Sequence, residues 1–208
     1  MDYKIHPLFP TPIIKTKFHR PFTQKELDIV YSEKIGKSVG NASSSSRRIL
    51  DNPHLSDLKK FAEDCLSLWI TEIICPAYKD AVKLQITQSW LNYTEPKGYH
   101  HIHYHPNSIV SGVMYIEANE YKDQIEFQND TPRQWHIHND KANPFNSNQY
   151  HVPVNTGDCV LFPSLLYHGV PEVQGETKRT SLAFNSFWDG KIGYADDGTN
   201  YLEINDIY

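Results

Sequence analysis

Residues 99–106 read Tyr99-His100-His101-Ile102-His103-Tyr104-His105-Pro106, with four histidines in eight positions. In an extended segment alternate side chains share a face, so His101, His103 and His105 are placed to converge. Imidazole is the commonest transition-metal ligand. It suits iron, copper, zinc and nickel alike, so the residue type does not choose the metal. A His-rich surface turn has the same composition, and the rest of the chain has to decide between the two.

Two downstream segments favour a metal site. Gly157-Asp158-Cys159-Val160-Leu161-Phe162-Pro163 runs into Leu166-Tyr167-His168-Gly169-Val170. This reads as a turn, a short buried strand and a histidine just beyond it, and a third imidazole from a separate strand is what a three-ligand site needs. Lys178-Arg179-Thr180-Ser181 then opens an alternating strand. Its period of two puts Arg179, Ser181, Ala183 and Asn185 on one face, and Thr180, Leu182, Phe184 and Ser186 on the other. An Arg and a Ser pointing into a barrel can bind a carboxylate, the guanidinium as a bidentate fork. On a surface the same Arg would make only a weak ion pair.

Upstream the pattern is helical. Thr23 and Glu26 form a capping box, with Phe22 and Leu27 as a hydrophobic staple, so a helix is expected over 24–35 with Gly36 as its stop. Ser43 to Ser46 reads as a loop, and Arg47-Arg48 beside it as a solvated patch. A second helix is expected after Asn52-Pro53, where Leu55, Leu58, Ala62, Cys65 and Trp69 make one apolar stripe that Pro76 ends. From Val82 the period changes to two. Further strands are expected at Ile109–Ile116, Gln124–Phe127, Val152–Val154, Cys159–Phe162 and Arg179–Trp188. Helices followed by many short strands imply a mainly β fold with flanking helices, a double-stranded β-helix or cupin-like jelly roll. We expect one domain over 1–208, with a helical flank at 1–80, a jelly-roll core at 81–190 and a long polar loop at 129–149. That loop carries a second His-x-His, His136 and His138, readable as solvated residues or as a lid.

Bulk properties narrow the function. A chain of 208 residues with net charge −5 gives no electrostatic support to a nucleic-acid or anionic-membrane partner. Three widely spaced cysteines without a CxxC pair suit a reducing compartment better than a disulfide framework. The opening Met1-Asp2-Tyr3-Lys4 has no signal-peptide pattern, and no apolar run is long enough to span a bilayer. A cytoplasmic location is expected.

The layout His-x-His, distal His, then Arg-x-Ser resembles the Fe(II)/2-oxoglutarate-dependent oxygenases, most of which carry an acidic residue at the second position. The run from His103 through His105-Pro106-Asn107-Ser108 to Tyr115 is similar to a bacterial and phage subfamily in which His-x-His-Pro is usual. Leu8-Phe9-Pro10-Thr11-Pro12, Gly157 to Ser164, His168-Gly169-Val170, Arg179 and Phe184-Asn185 extend the resemblance over most of the chain. It implies Fe(II) held by His103, His105 and His168, with His101 as the alternative ligand. It implies 2-oxoglutarate bound by Arg179 and Ser181, with Tyr93, ten residues before His103, or Tyr115 assisting and Asn185 nearby. O₂ and a small-molecule or peptide substrate complete the reaction, a hydroxylation. Two rivals stay open. One is a three-His cupin dioxygenase or isomerase without 2-oxoglutarate, which fits the spacing of Gly157, Pro163 and His168. The other is a non-catalytic jelly roll that binds or builds.

Overall fold

The computed structural model describes residues 1–37, 39–77, 82–130, 137–193 and 198–205. In chain order its elements are β1 (Ile14–Lys17), α1 (Gln24–Ser32), β2 (Ile35–Lys37), β3 (Ala42–Ser44), α2 (Ser56–Trp69), β4 (Val82–Thr94), β5 (His100–His103), β6 (Val110–Glu117), β7 (Gln124–Gln128), β8 (Gln149–Pro153), β9 (Asp158–Pro163), β10 (Tyr167–Val170), β11 (Arg179–Ile192) and β12 (Leu202–Ile204).

The strands form two antiparallel sheets. The larger has the order β1-β9-β6-β11-β4-β3-β2, with β12 added to β11; the smaller has the order β5-β10-β7-β8. This is a jelly roll with helices on one outer face, as the patterning implies. Two cores follow from the two buried faces of the large sheet. Leu91, Met114, Leu161, Leu182 and Phe184 pack on one face against Leu58, Ala62, Leu66 and Trp69 of α2. Val113, Tyr115, Val160, Phe162 and Ala183 pack on the other against Ile125, Phe127 and Val152 of the small sheet. β9 is therefore buried along nearly its whole length, which explains its unbroken apolar run. Gly112 is fixed by this packing, since a Cβ there would come within 2.1 Å of the Phe184 ring.

The helices form where their signals lie. Thr23 and Glu26 make the expected capping box. Arg20 bridges Glu26 and Asp57, at 2.7 and 2.6 Å, tying the start of α1 to that of α2. All five stripe residues from Leu55 to Trp69 are buried. Asn52 accepts from the His54 N–H ahead of a short 3₁₀ turn, Pro53–Leu55, that leads into α2.

Three expectations need correction. α1 stops at Ser32, because Glu33 is already extended, and Gly36 lies inside β2 rather than capping a helix. Ser43 and Ser44 are not loop residues: they belong to β3, which pairs with β2 and β4. Serine composition misled here because these hydroxyls serve the sheet, with Ser44 Oγ accepting from the Leu91 N–H at 3.0 Å. The described part of the polar loop, 129–130 and 137–148, has no helix or strand, but Gln149 begins β8. No helix among the described residues is long and apolar enough to cross a membrane.

Candidate metal centre

β5 and β10 are neighbours in the small sheet, and their register sets His103 opposite His168. His105 lies two residues past the end of β5, so strand alternation does not deliver it. A turn does: Asn107 takes a left-handed φ of 59°, and the His105 N–H bonds the Ser164 carbonyl at 2.8 Å. The ring nitrogens of His103, His105 and His168 then lie within 4.8 Å of one another. Gly169 permits this approach, since a Cβ there would stand 2.8 Å from the His100 carbonyl oxygen. His101 is exposed and stays outside the cluster.

The hydrogen bonds behind the rings fix their tautomers. His103 Nδ1 faces the His101 carbonyl and His168 Nδ1 the Leu166 carbonyl, both at 2.8 Å. Carbonyls only accept, so each Nδ1 carries the proton and each Nε2 keeps its lone pair. At His105 the same result comes through a serine relay. Ser108 donates to the Ser186 carbonyl, and Ser164 donates to Ser108. The single proton of Ser111 then goes to Ser164 or to Asn185 Oδ1, each at 2.8 Å. Ser111 has none left for His105, so His105 Nδ1–H donates to Ser111 at 2.9 Å. Three basic Nε2 atoms therefore face a common point, with those of His103 and His105 only 3.2 Å apart. Lone pairs at that distance repel unless a cation or a proton lies between them. This donor set fits a soft to borderline divalent transition metal.

Outer hydrogen bonds of this kind typically govern metal affinity by about 10- to 100-fold. We expect Ser111→Ala to weaken Zn(II) or Ni(II) binding by about that factor and to release the His105 tautomer. Titration calorimetry and ¹⁵N shifts of the imidazole in the metal-free protein check it; an unchanged His105 tautomer would remove the relay from the site.

The rings sit in apolar surroundings. Phe162 lies against His168 at 4.4 Å between centroids, and Trp90 meets His105 edge-on at 5.5 Å. Burial, then the neighbouring His103, pushes His105 from its usual 6.5 down to about 4. Burial likewise lowers His103 and takes His168 further down. At neutral pH these imidazoles are uncharged and ready to coordinate. The unfolded chain protonates His105 near its ordinary value of about 6.5, the folded chain only near about 4, and His103 and His168 are shifted in the same direction. Between those values the unfolded state binds more protons, so stability of the metal-free protein is full above about pH 6.5 and falls as pH drops toward about 4. The urea midpoint of metal-free protein should be lower at about pH 5 than at about pH 7, and the drop should shrink in His105→Gln. A midpoint that rises on acidification contradicts the burial.

Arg179 and Ser181 share the cavity with the imidazoles, beside Trp90, Asn92, His100, Val113, Ile125 and Ala183. Arg179 is 2 % exposed. Its guanidinium lies 4.9 Å from the centre of the Tyr115 ring. Among the described residues Arg179 Nε has no hydrogen-bond partner, and the Tyr115 hydroxyl has none but the Arg179 guanidinium beside it. Among the described residues no carboxylate reaches Arg179 within ion-pair distance. A buried cation left unpaired is costly, so this end of the cavity is built for an anion.

Cross-strand register sorts the remaining candidates. Tyr115 pairs with Ser181 and shares its inward face. Tyr93 pairs with Thr180, on the opposite face; its hydroxyl donates to the Val30 carbonyl of α1 at 2.5 Å. Tyr93 is thus a helix anchor outside the cavity, and its spacing from His103 is misleading because strand phase overrides it. Asn185 faces inward but supports Ser111. His138 is exposed, and His136 lies outside the described residues. Sequence reading missed Trp90, Asn92, His100 and Ser111. Trp90, Asn92 and Ser111 were recoverable, as the register partners of Ala183, Ser181 and Asn185.

Residues 88–185 match the model of the family described as "Putative 2OG-Fe(II) oxygenase". No curated protein matches the chain. Solved structures do. An oxidoreductase of the 2OG-Fe(II) oxygenase family from Burkholderia pseudomallei aligns at TM-score 0.57 and 11% identity, over 84% of this chain and 83% of its own. The non-heme α-ketoglutarate-dependent carbocyclase SnoK from nogalamycin biosynthesis aligns at 0.58 and 14%, over 95% and 89%. HygX from Streptomyces hygroscopicus, solved with nickel, 2-oxoglutarate and hygromycin B, aligns at 0.55 and 13%, over 85% and 82%. At these identities the likeness is one of fold.

Proposed function

We propose, on the premise that the chain belongs to the Fe(II)/2-oxoglutarate oxygenase superfamily, that it couples the oxidative decarboxylation of 2-oxoglutarate to hydroxylation of an organic substrate. One observation carries this reading: the buried guanidinium of Arg179, which no carboxylate among the described residues reaches, opens into the same cavity as the three imidazoles. A metal site with an anion clamp beside it suits a cosubstrate that carries a keto acid at one end and a carboxylate at the other. HygX was solved with nickel and 2-oxoglutarate bound, which agrees with both parts.

In this reading His103, His105 and His168 hold Fe(II), which when bound supplies O₂ activation and an anchor for the keto-acid end. Arg179 grips the distal carboxylate through its planar fork. Ser181 and the Tyr115 hydroxyl beside Arg179 donate to the same group. Val113, Ile125 and Ala183 wall the cavity with apolar surface and keep water from the reacting end. A third imidazole in place of a carboxylate leaves the metal with its full divalent charge, which attracts a dianion more strongly. The free Cys65, Cys75 and Cys159 suit a cytoplasmic setting.

Fe(II)-loaded protein should form succinate slowly from 2-oxoglutarate in air, even without its true substrate. Metal-loaded protein that neither binds nor consumes 2-oxoglutarate would hand the site to the three-His dioxygenase reading, which the same trio of imidazoles favours.

A further inference from the structure

The cleft that opens over the imidazoles is lined by Ser43, Arg47, Gln88, Trp90, Asn92 and Pro106, together with His100, His103, His105 and Asn185, and has a volume of about 380 Å³. Among the described residues no aspartate or glutamate lines it, nor the inner cavity by Arg179. The chain as a whole carries −5, so this lining does not follow from the overall composition. Arg47 supplies the cleft's cation. Arg47 and its neighbour Arg48 are both exposed, as expected of a solvated pair, but Arg48 turns to Asp51 at 2.6 Å, while Arg47 lines the cleft.

The backbone of Arg47 is held on the rim. Its carbonyl accepts from the Ser89 N–H at 2.8 Å, and Ser89 Oγ accepts from the Leu50 N–H at 2.9 Å. Ser44 Oγ takes the Leu91 N–H. Residues 44–50 are thus laced to β4 at Ser89 and Leu91, flanking Trp90, and strand alternation turns Gln88 and Trp90 into the cleft. Arg47 has no ion-pair partner among the described residues.

We propose that Arg47 is a specificity-determining residue and that the substrate is an organic anion, its carboxylate or phosphate held by Arg47 and its carbon frame laid against Trp90. This rests on the oxygenase reading for the reaction, but the anion site itself does not. A guanidinium on the rim of a concave cleft pairs with such a group through charge-assisted hydrogen bonds. Gln88 and Ser43 add neutral donors.

The test uses metal-loaded protein saturated with 2-oxoglutarate, so that Arg179 is occupied, and follows the Trp90 indole N–H by NMR, assigned with Trp90→Phe. Inorganic phosphate and acetate are titrated separately, which separates the two anion sources. At least one should give a saturable shift. Arg47→Gln should weaken it about tenfold or more, the loss of one charge-assisted contact, whereas Arg48→Gln should leave it unchanged. Absence of a saturable shift with either anion, or a shift that survives Arg47→Gln, overturns the assignment. A normal anion shift in protein that forms no succinate would instead count against the oxygenase reading and leave Arg47 in place.

Discussion

Replacing His168 by alanine or glutamine should abolish specific metal binding. His168 is the one ligand the chain contributes from β10, and its Nε2 closes the trio with His103 and His105. With two imidazoles left, a divalent ion keeps too few protein ligands to compete with water. Wild-type protein with metal at about a hundred times its Kd should gain about 2.7 kcal/mol. For a chain of this length that raises Tm by about 5–10 °C. The gain should vanish in His168→Gln, which keeps the volume packed against Phe162, while the metal-free Tm changes little. His105→Ala should behave similarly. His101→Ala should not, because that ring is exposed and only its carbonyl serves His103. Full metal content in His168→Gln would sink the centre as drawn.

The second large effect belongs to Arg179. Its guanidinium is buried, without a carboxylate, against Tyr115. Arg179→Ala should weaken 2-oxoglutarate binding by about 2–5 kcal/mol, roughly 30-fold to several thousandfold. Arg179→Lys keeps the charge but not the fork and should fall between. Both should keep wild-type metal affinity, since Arg179 is no ligand. Their metal-free Tm should not drop, because removing an unpaired buried cation relieves a desolvation cost. Equal 2-oxoglutarate affinity in wild type and Arg179→Ala would assign the buried cation another anion.

What could be read in advance divides along physical lines. Features with a local cause were legible. The Thr23–Glu26 capping box, the stripe from Leu55 to Trp69 and the alternation at Arg179 to Asn185 each depend on a few neighbouring residues. Features set by pairing were not. β2 and β3 have three residues each, and the serines of β3 carry no β signal; β3 forms because the 13-residue β4 offers it an edge, and β2 then pairs with β3. β1, β10 and β12 were missed because each has only three or four residues and is defined by the strand it pairs with. Tyr93 shows the cost of counting residues without the register: ten positions before His103 is a true spacing, but the pairing with Thr180 turns the ring toward α1. Had β4 been paired to β11 on paper, Asn92 and Trp90 would have replaced it. The His-rich stretch brought His103 and His105 together for a partly wrong reason, since His105 arrives through the turn at Asn107 and not by alternation.

Anaerobic titration of the protein with Fe(II) and then 2-oxoglutarate tests the central claim most directly. Chelation of the keto acid at iron gives a visible charge-transfer absorption. It should appear only when both are present, saturate at one equivalent of Fe(II), be lost in His168→Gln, and need far more 2-oxoglutarate in Arg179→Ala. Stoichiometric Fe(II) binding with no such band at any concentration of 2-oxoglutarate would contradict it.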